Sequence, residues 1–330
     1  MKVCIPFAQR GIGGPSTFAQ KLGQRLALRG ASVADACTED CDVLLAIVSA
    51  PLGELLKAKR WGIPIVQRLD GVYYPAVSGW RWWIDDGPIW MTYRFFADRV
   101  VFQSEYSRRM CEHFLGAPRC PCSIVYNGVD LALFSPEGEA KRVAEGTVLL
   151  CLLATFWRES EILPVLEAFD HIRAEHEDAR LVVVGRFTRQ VGHIPESRPD
   201  VDWLGQVPHS ELPAIYRGAE LMLSSKLRSP CPNAVIEAMA SGVPTACYDS
   251  GGHSELIGEE GGVCVPLADG FGPFPTLDAR DLAQAGNRVL ANRSAFAVGA
   301  RRRAEQRFSL DQMVDGYLEA FEEAIRSRGR

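Results

Sequence analysis

Short apolar runs recur along the chain, and most are followed by a segment with apolar residues every three or four positions. Residues 2–8, 42–49, 64–69, 99–103 and 123–126 are runs of the first kind and predict strands. Residues 15–29, 52–60 and 105–114 have helical spacing; in the first of these Phe18, Leu22 and Leu26 share one face and Gly30 ends it. Strands apolar on both faces, alternating with helices, predict a parallel sheet covered on both sides. The polar run Phe134-Ser135-Pro136-Glu137-Gly138-Glu139-Ala140-Lys141 interrupts this pattern as a linker would. It then restarts, with strands at 147–153, 179–185, 201–205, 221–225, 244–248 and 262–266. Helices are predicted at 162–175, 211–218, 232–241, 279–291 and 309–326. The class is therefore α/β, with two doubly wound Rossmann-like domains at 1–134 and 147–308, a linker at 135–146 and a last helix at 309–330. A cleft between the domains, at the carboxyl ends of the strands, is the expected ligand site.

Composition narrows the function classes. The 330 residues are 47% hydrophobic and 23% charged, enough for a sizeable core, and the formal net charge of −5 lacks the overall footprint of a nucleic-acid binder. No apolar run is long enough to span a membrane, and residues 1–7 are too short for a signal peptide, so a cytoplasmic protein with reduced thiols is expected. The ten cysteines include no Cys-x-x-Cys. Cys37 and Cys41 leave a local pairing or a metal open, but no second ligand cluster accompanies them.

Gly11-Ile12-Gly13-Gly14 lies between the first strand and the first helix. Ser16 stands where a dinucleotide fingerprint needs glycine, and no Gly-Lys-Ser/Thr makes a Walker A loop. The loop is either a tight turn or a place where Gly13 and Gly14 let backbone amides reach a phosphate or an acceptor. The most informative stretch runs from Val201 to Leu256: Asp202-Trp203-Leu204-Gly205, then His209–Glu220, then Ser229-Pro230-Cys231-Pro232-Asn233-Ala234-Val235-Ile236-Glu237-Ala238-Met239-Ala240-Ser241-Gly242-Val243-Pro244, then Asp249-Ser250-Gly251-Gly252-His253-Ser254-Glu255-Leu256. Pro232 suits the first helical position. The amides of Asn233, Ala234 and Val235 would then form an anion site at a helix start, with Glu237 one turn further in, able to accept hydrogen bonds from sugar hydroxyls.

This stretch resembles the donor-site signature of the retaining glycosyltransferases of family 4, which have the two-domain GT-B fold. Gly13-Gly14, Asn127-Gly128-Val129-Asp130 with Phe134, residues 181–185, and Arg307-Phe308-Ser309 with the last helix extend the resemblance over most of the chain. It implies that the last helix packs back on the N-terminal domain and that a nucleotide-diphosphate sugar is the substrate, with no further cofactor. It implies that Glu237 binds the ribose, that Gly251, Gly252 and Glu255 form the turn facing the donor, and that Asp70 is the aspartate of a His-Asp pair ending an N-domain strand. The chain departs from the family pattern in three ways: Ser229 replaces a glutamate, Leu69 a histidine, and Thr155 and Ser160 an arginine and a lysine that hold the diphosphate. Lys226, Arg228 and Arg158 are the nearby cations that would take over that charge, with Ser229 offering a hydroxyl. No Asp-x-Asp faces the site, so no metal is expected.

Four of the seven tryptophans, Trp80, Trp82, Trp83 and Trp90, fall within one short segment beside Asp85 and Asp86. Packing beneath a long loop, an acceptor platform and a membrane-surface contact all fit such a segment. The reading is transfer of a sugar, with retention, to a sugar or lipid-linked hydroxyl, in a cytoplasmic or membrane-peripheral protein. A nucleotide-sugar epimerase of the same fold, or a nucleotide-sugar binder without turnover, are the alternatives.

Overall fold

The structure is a computed structural model that describes residues 1–6 and 14–329. The chain divides into two compact units. The first holds Met1–Gly128, Gly270–Pro273 and Leu310–Arg330, the second Val129–Asp269 and Phe274–Ser309. The passage between them thus falls at Gly128/Val129, ahead of the polar run that marks the linker in the sequence. Phe134 is buried in the second unit against His209 and Tyr216.

The first unit contains β1 (Lys2–Cys4), α1 (Gly14–Leu28), β2 (Ser32–Ala34), β3 (Val43–Ile47), α2 (Leu52–Arg60), β4 (Ile65–Leu69), β5 (Arg99–Phe102), α3 (Glu105–Leu115) and β6 (Cys122–Ile124). Its six-stranded sheet has the order β2-β1-β3-β4-β5-β6, all pairs parallel. Every residue of β3, an unbroken apolar run, is buried, as a sheet covered on both faces demands, and so is every residue of β4, where Gln67 and Arg68 are buried polar members and Gln67 Nε2 donates to Val48 O and Ile89 O. β2 is a three-residue edge strand that the apolar pattern does not announce. Short helical turns fill the stretch between Pro75 and Phe96.

The second unit contains β7 (Val148–Phe156), α4 (Leu163–Glu175), β8 (Arg180–Phe187), β9 (Asp202–Gly205), α5 (Leu212–Arg217), β10 (Leu221–Ser224), α6 (Asn233–Ala240), β11 (Thr245–Tyr248), α7 (His253–Ile257), β12 (Gly262–Val265), α8 (Ala279–Ala291) and α9 (Arg293–Arg307). Its order is β12-β11-β10-β7-β8-β9. In this order the chain runs outward from β7 one way and from β10 the other. The switch point lies between β7 and β10, which pair in parallel through Leu221–Leu149 and Met222–Leu150. Ligands of doubly wound sheets bind beyond the carboxyl ends of the strands at such a point.

α10 (Leu310–Ser327) returns to the first unit, as the family resemblance implies. Its Met313, Val314, Tyr317, Ala320 and Phe321 are buried with Val3, Leu22, Leu45 and Val66, and Tyr317 packs on Phe18 at 5.2 Å.

Candidate active site in the second unit

The site is built at the ends of β7 and β10. After β7 the chain turns so that the buried Glu161 carboxylate accepts from Trp157 N at 2.7 Å and from Arg158 N at 3.3 Å. Its other oxygen pairs with the Lys226 ammonium, two residues past β10. Lys226 keeps 30% of its side chain exposed against 9% for Glu161, so the carboxylate is the fixed partner and the lysine the accessible one.

Arg228 has a left-handed backbone, φ 54°, rare for a residue with a side chain. Three contacts hold it there. Its N–H donates to Ser250 Oγ at 2.8 Å, and its guanidinium grips Asp269 through Nε at 2.8 Å and Nη2 at 2.7 Å. Ser250 Oγ also donates to Asp269. With side chains 2% and 3% exposed, the Arg228–Asp269 pair is internal, and its charge is already answered. The expectation that Arg228 supplies charge to a diphosphate is therefore corrected: it braces the turn. Arg158 is only half-buried; its guanidinium lies 5.0 Å from the ring centre of Phe274, whose ring also has Arg228 at 4.5 Å. Among the described residues no carboxylate pairs with the Arg158 side chain.

The Gly251–Gly252 turn packs backbone to backbone on Ser229–Pro230. Gly252 N donates to Ser229 O at 2.9 Å, and a Cβ on Gly251 or Gly252 would stand 2.3 Å from Ser229 O or 2.1 Å from Pro230 O. No other residue fits this approach. Glu255 lies in the first turn of α7, its side chain half-buried beside Gly252. The buried His253 donates from Nδ1 to Ser250 O at 2.5 Å, and burial lowers its pKa, so the ring is neutral.

Pro232 is the residue before α6 rather than its first, because its ψ of 110° is extended. Its carbonyl takes Val235 N at 3.1 Å and Ile236 N at 3.3 Å. Val235 therefore has no amide to offer an anion, and the first residues of α6 are Asn233 and Ala234. One turn on, Glu237 is buried. His209 Nε2 lies 2.9 Å from Oε1 and the Tyr216 hydroxyl 3.4 Å from Oε2, while the same hydroxyl donates to Ala234 O at 3.1 Å. Burial, then the Glu237 charge, hold the Tyr216 phenol far above its ordinary pKa, so it stays a donor. His209 is 47% exposed and is the part of this group that solvent reaches.

In the first unit, Asp70 follows β4 with Oδ2 3.4 Å from Arg68 Nη1. Arg68 is buried, with its guanidinium 3.9 Å from the centre of the Phe18 ring and Nη2 3.4 Å from Asn127 Oδ1. Gly13 lies outside the described residues, and Gly14 is the first residue of α1. In the aromatic segment Trp82 packs on Phe114 at 5.6 Å, but Trp80, Trp83 and Trp90 are 72%, 60% and 43% exposed. Trp90 also meets Phe95 edge-on at 5.3 Å, so packing accounts for Trp82 and part of Trp90 and leaves Trp80 and Trp83 largely open. Asp86 is buried; it accepts from Tyr73 N at 2.9 Å, and burial pushes its carboxyl up to about 6.

Glu161, His209, Tyr216, Asp269 and Phe274 are site residues that the sequence pattern does not single out. His209 and Tyr216 lie inside the informative stretch, yet no spacing rule pairs them with Glu237. The ten cysteines are free thiols, and among the described residues no group of three His, Cys, Asp or Glu side chains is placed to hold a metal.

Both parts of the chain match glycosyltransferase family models. Residues 12–133 match the model for Glycosyltransferase Family 4, and residues 147–292 that for Glycosyl transferases group 1. The chain belongs to the GT-B glycosyltransferases. It superposes on a GT-B neighbour, Anabaena HepE in complex with UDP, with a TM-score of 0.74 over 98% of this chain and 100% of that one, at 15% identity. It is 26% identical to a glycogen synthase of Mycobacterium tuberculosis over 196 residues, 57% of this chain and 44% of that protein. A D-inositol 3-phosphate glycosyltransferase of Geodermatophilus obscurus is 29% identical over 245 residues, 68% of this chain and 52% of the relative. The chain thus spans about half the length of these two relatives.

Proposed function

We propose that this GT-B protein transfers a sugar from a nucleotide-diphosphate donor to an acceptor hydroxyl, with retention at the anomeric carbon and without a metal. The observation that carries this reading is the arrangement at the switch point of the second sheet. There an accessible lysine, a helix start and a buried glutamate lie on consecutive pieces of backbone. The α6 N-terminus contributes about half a positive charge. A diphosphate needs more, and Lys226 supplies it, with Arg158 from the turn after β7. Arg228 and Asp269 keep the turn in shape. Glu237 accepts from ribose hydroxyls, oriented by Tyr216 and His209. Ser229 offers a hydroxyl to the sugar and has no carboxylate with which to form a glycosyl intermediate. The larger catalytic contribution then falls to cations that stabilise the departing diphosphate. Asp70, in the first unit, is assigned to the acceptor hydroxyl, and the exposed tryptophans offer aromatic faces of the kind on which sugars stack. The HepE complex with UDP makes a uridine donor the first to test.

The test is a thermal-shift screen of the whole chain against UDP, GDP, ADP and TDP and their sugars, because a ligand of the native state raises the melting temperature by mass action. A shift with one base, followed by release of that nucleoside diphosphate only when an acceptor is added, supports transfer. No shift with any of them would overturn the reading. Full activity in EDTA is expected; a strict Mg²⁺ or Mn²⁺ requirement would remove the metal-free part.

A further inference from the structure

The Glu161–Lys226 pair at the switch point sets a charge of each sign where the reading above puts a diphosphate, and the inference here rests on that reading. The two side chains are not equivalent. Glu161 is clamped by the Trp157 and Arg158 amides and almost sealed from solvent, whereas Lys226 is 30% exposed on a flexible stem. Anything that draws Lys226 toward a phosphate must draw it from Glu161, and the carboxylate stays behind. The other titratable groups around the pair are Arg158, stacked on Phe274, the buried Cys151 thiol, which burial and Glu161 keep protonated, and the neutral, buried His253.

We infer that Glu161 is a specificity-determining residue that favours the nucleotide-sugar donor over the nucleoside diphosphate product and so promotes product release. The reason is charge. A nucleoside carries none on its sugar. A nucleotide-sugar diphosphate carries about two negative charges. The free nucleoside diphosphate gains most of a third, because its terminal phosphate has a second ionisation near pH 6. A fixed carboxylate repels each in proportion. Lys226 attracts in the same proportion, but part of its attraction is spent on leaving Glu161. A lysine alone would grip the product more tightly than the substrate. The pair reduces that difference.

The experiment is calorimetric titration of the full chain with uridine, UDP-glucose and UDP, or with the corresponding series for whichever base the screen selects. Glu161→Gln is expected to leave uridine affinity unchanged, tighten UDP-glucose several-fold and tighten UDP by about tenfold. The affinity ratio of UDP to UDP-glucose therefore rises, and kcat falls as product lingers. Lys226→Met leaves the anchored carboxylate unopposed and is expected to lower that ratio below the native value. It serves as the independent variant if Glu161→Gln does not fold. Weaker UDP binding in Glu161→Gln, an equal change for all three ligands, or a ratio unmoved by either substitution would overturn the inference. If the native chain binds none of the ligands, the donor-site reading itself fails. If it binds them and the ratio does not move, only the role of Glu161 fails.

Discussion

Glu237 shows how much a single side chain in this site depends on its surroundings. Its carboxylate is buried, but the Tyr216 hydroxyl and His209 satisfy it, so it is a prepared acceptor and not a stranded charge. Glu237→Gln keeps its shape, and Tyr216 keeps Ala234 O as an acceptor. The variant is expected to fold with a small loss of melting temperature and to bind the nucleotide donor about tenfold more weakly, the worth of one charge-assisted hydrogen bond at about 1.5 kcal/mol. Calorimetry that finds native affinity would remove Glu237 from the donor site. The position of this residue is legible in the sequence, since a proline, a helix start and a glutamate one turn on are all local. Its partners are not. Tyr216 is 21 residues away, and the partners of Lys226 and Arg228 are 65 and 41 residues away. Pairings of that separation are made by the order of strands in a sheet. No spacing rule contains that order, so Arg228 reads as a phosphate cation in the sequence when its charge is already committed to Asp269.

At the scale of elements, the apolar runs locate most of the strands because a doubly covered parallel sheet buries them whole. What the pattern leaves out is polar or short. α9 contains five arginines and three fully or nearly buried small residues, Gly299, Ala300 and Ala304, too few for an apolar stripe. β2 has no buried residue at all. The helical turns between Pro75 and Phe96 are held by another device. Asp86 reaches back to Tyr73 N and ties this segment to the turn that follows β4 and Asp70. Its second oxygen is buried with no hydrogen-bond partner, and burial is the main reason its pKa stands at about 6. The sign follows from proton counts. Between about pH 4, where an unfolded aspartate loses its proton, and about pH 6, the folded chain holds more protons than the unfolded one. Asp86 therefore makes stability fall as pH rises through that window, by about 2–3 kcal/mol, and the deficit persists above it. Denaturant melts at stepped pH should show this decline in the native chain and not in Asp86→Asn. An identical slope in both would mean that Asp86 is not the group responsible.

At the scale of the molecule, the first unit is assembled from distant parts of the chain. α10 supplies Met313, Val314, Tyr317, Ala320 and Phe321, each 3% exposed or less, to a core that β1, β3 and β4 line from the other side. Large apolar side chains buried this completely are worth about 1.5–3 kcal/mol each. Together they rival the whole stability of a domain, about 5–15 kcal/mol. Deletion of residues 310–330 is expected to abolish the cooperative melt of the first unit and leave that of the second. A calorimetric trace with both transitions intact would show that α10 is dispensable.

The same connectivity puts a delay into synthesis. The sheet of the first unit has all its strands once residue 124 is made, but the helix that closes one of its faces begins at Leu310. At about 5–20 residues per second the ribosome takes roughly 10–40 s to reach it. For that interval the nascent chain carries an open apolar face made by Val3, Leu45 and Val66 while the second unit emerges and completes itself. The unit whose strands are made first is thus the later of the two to finish.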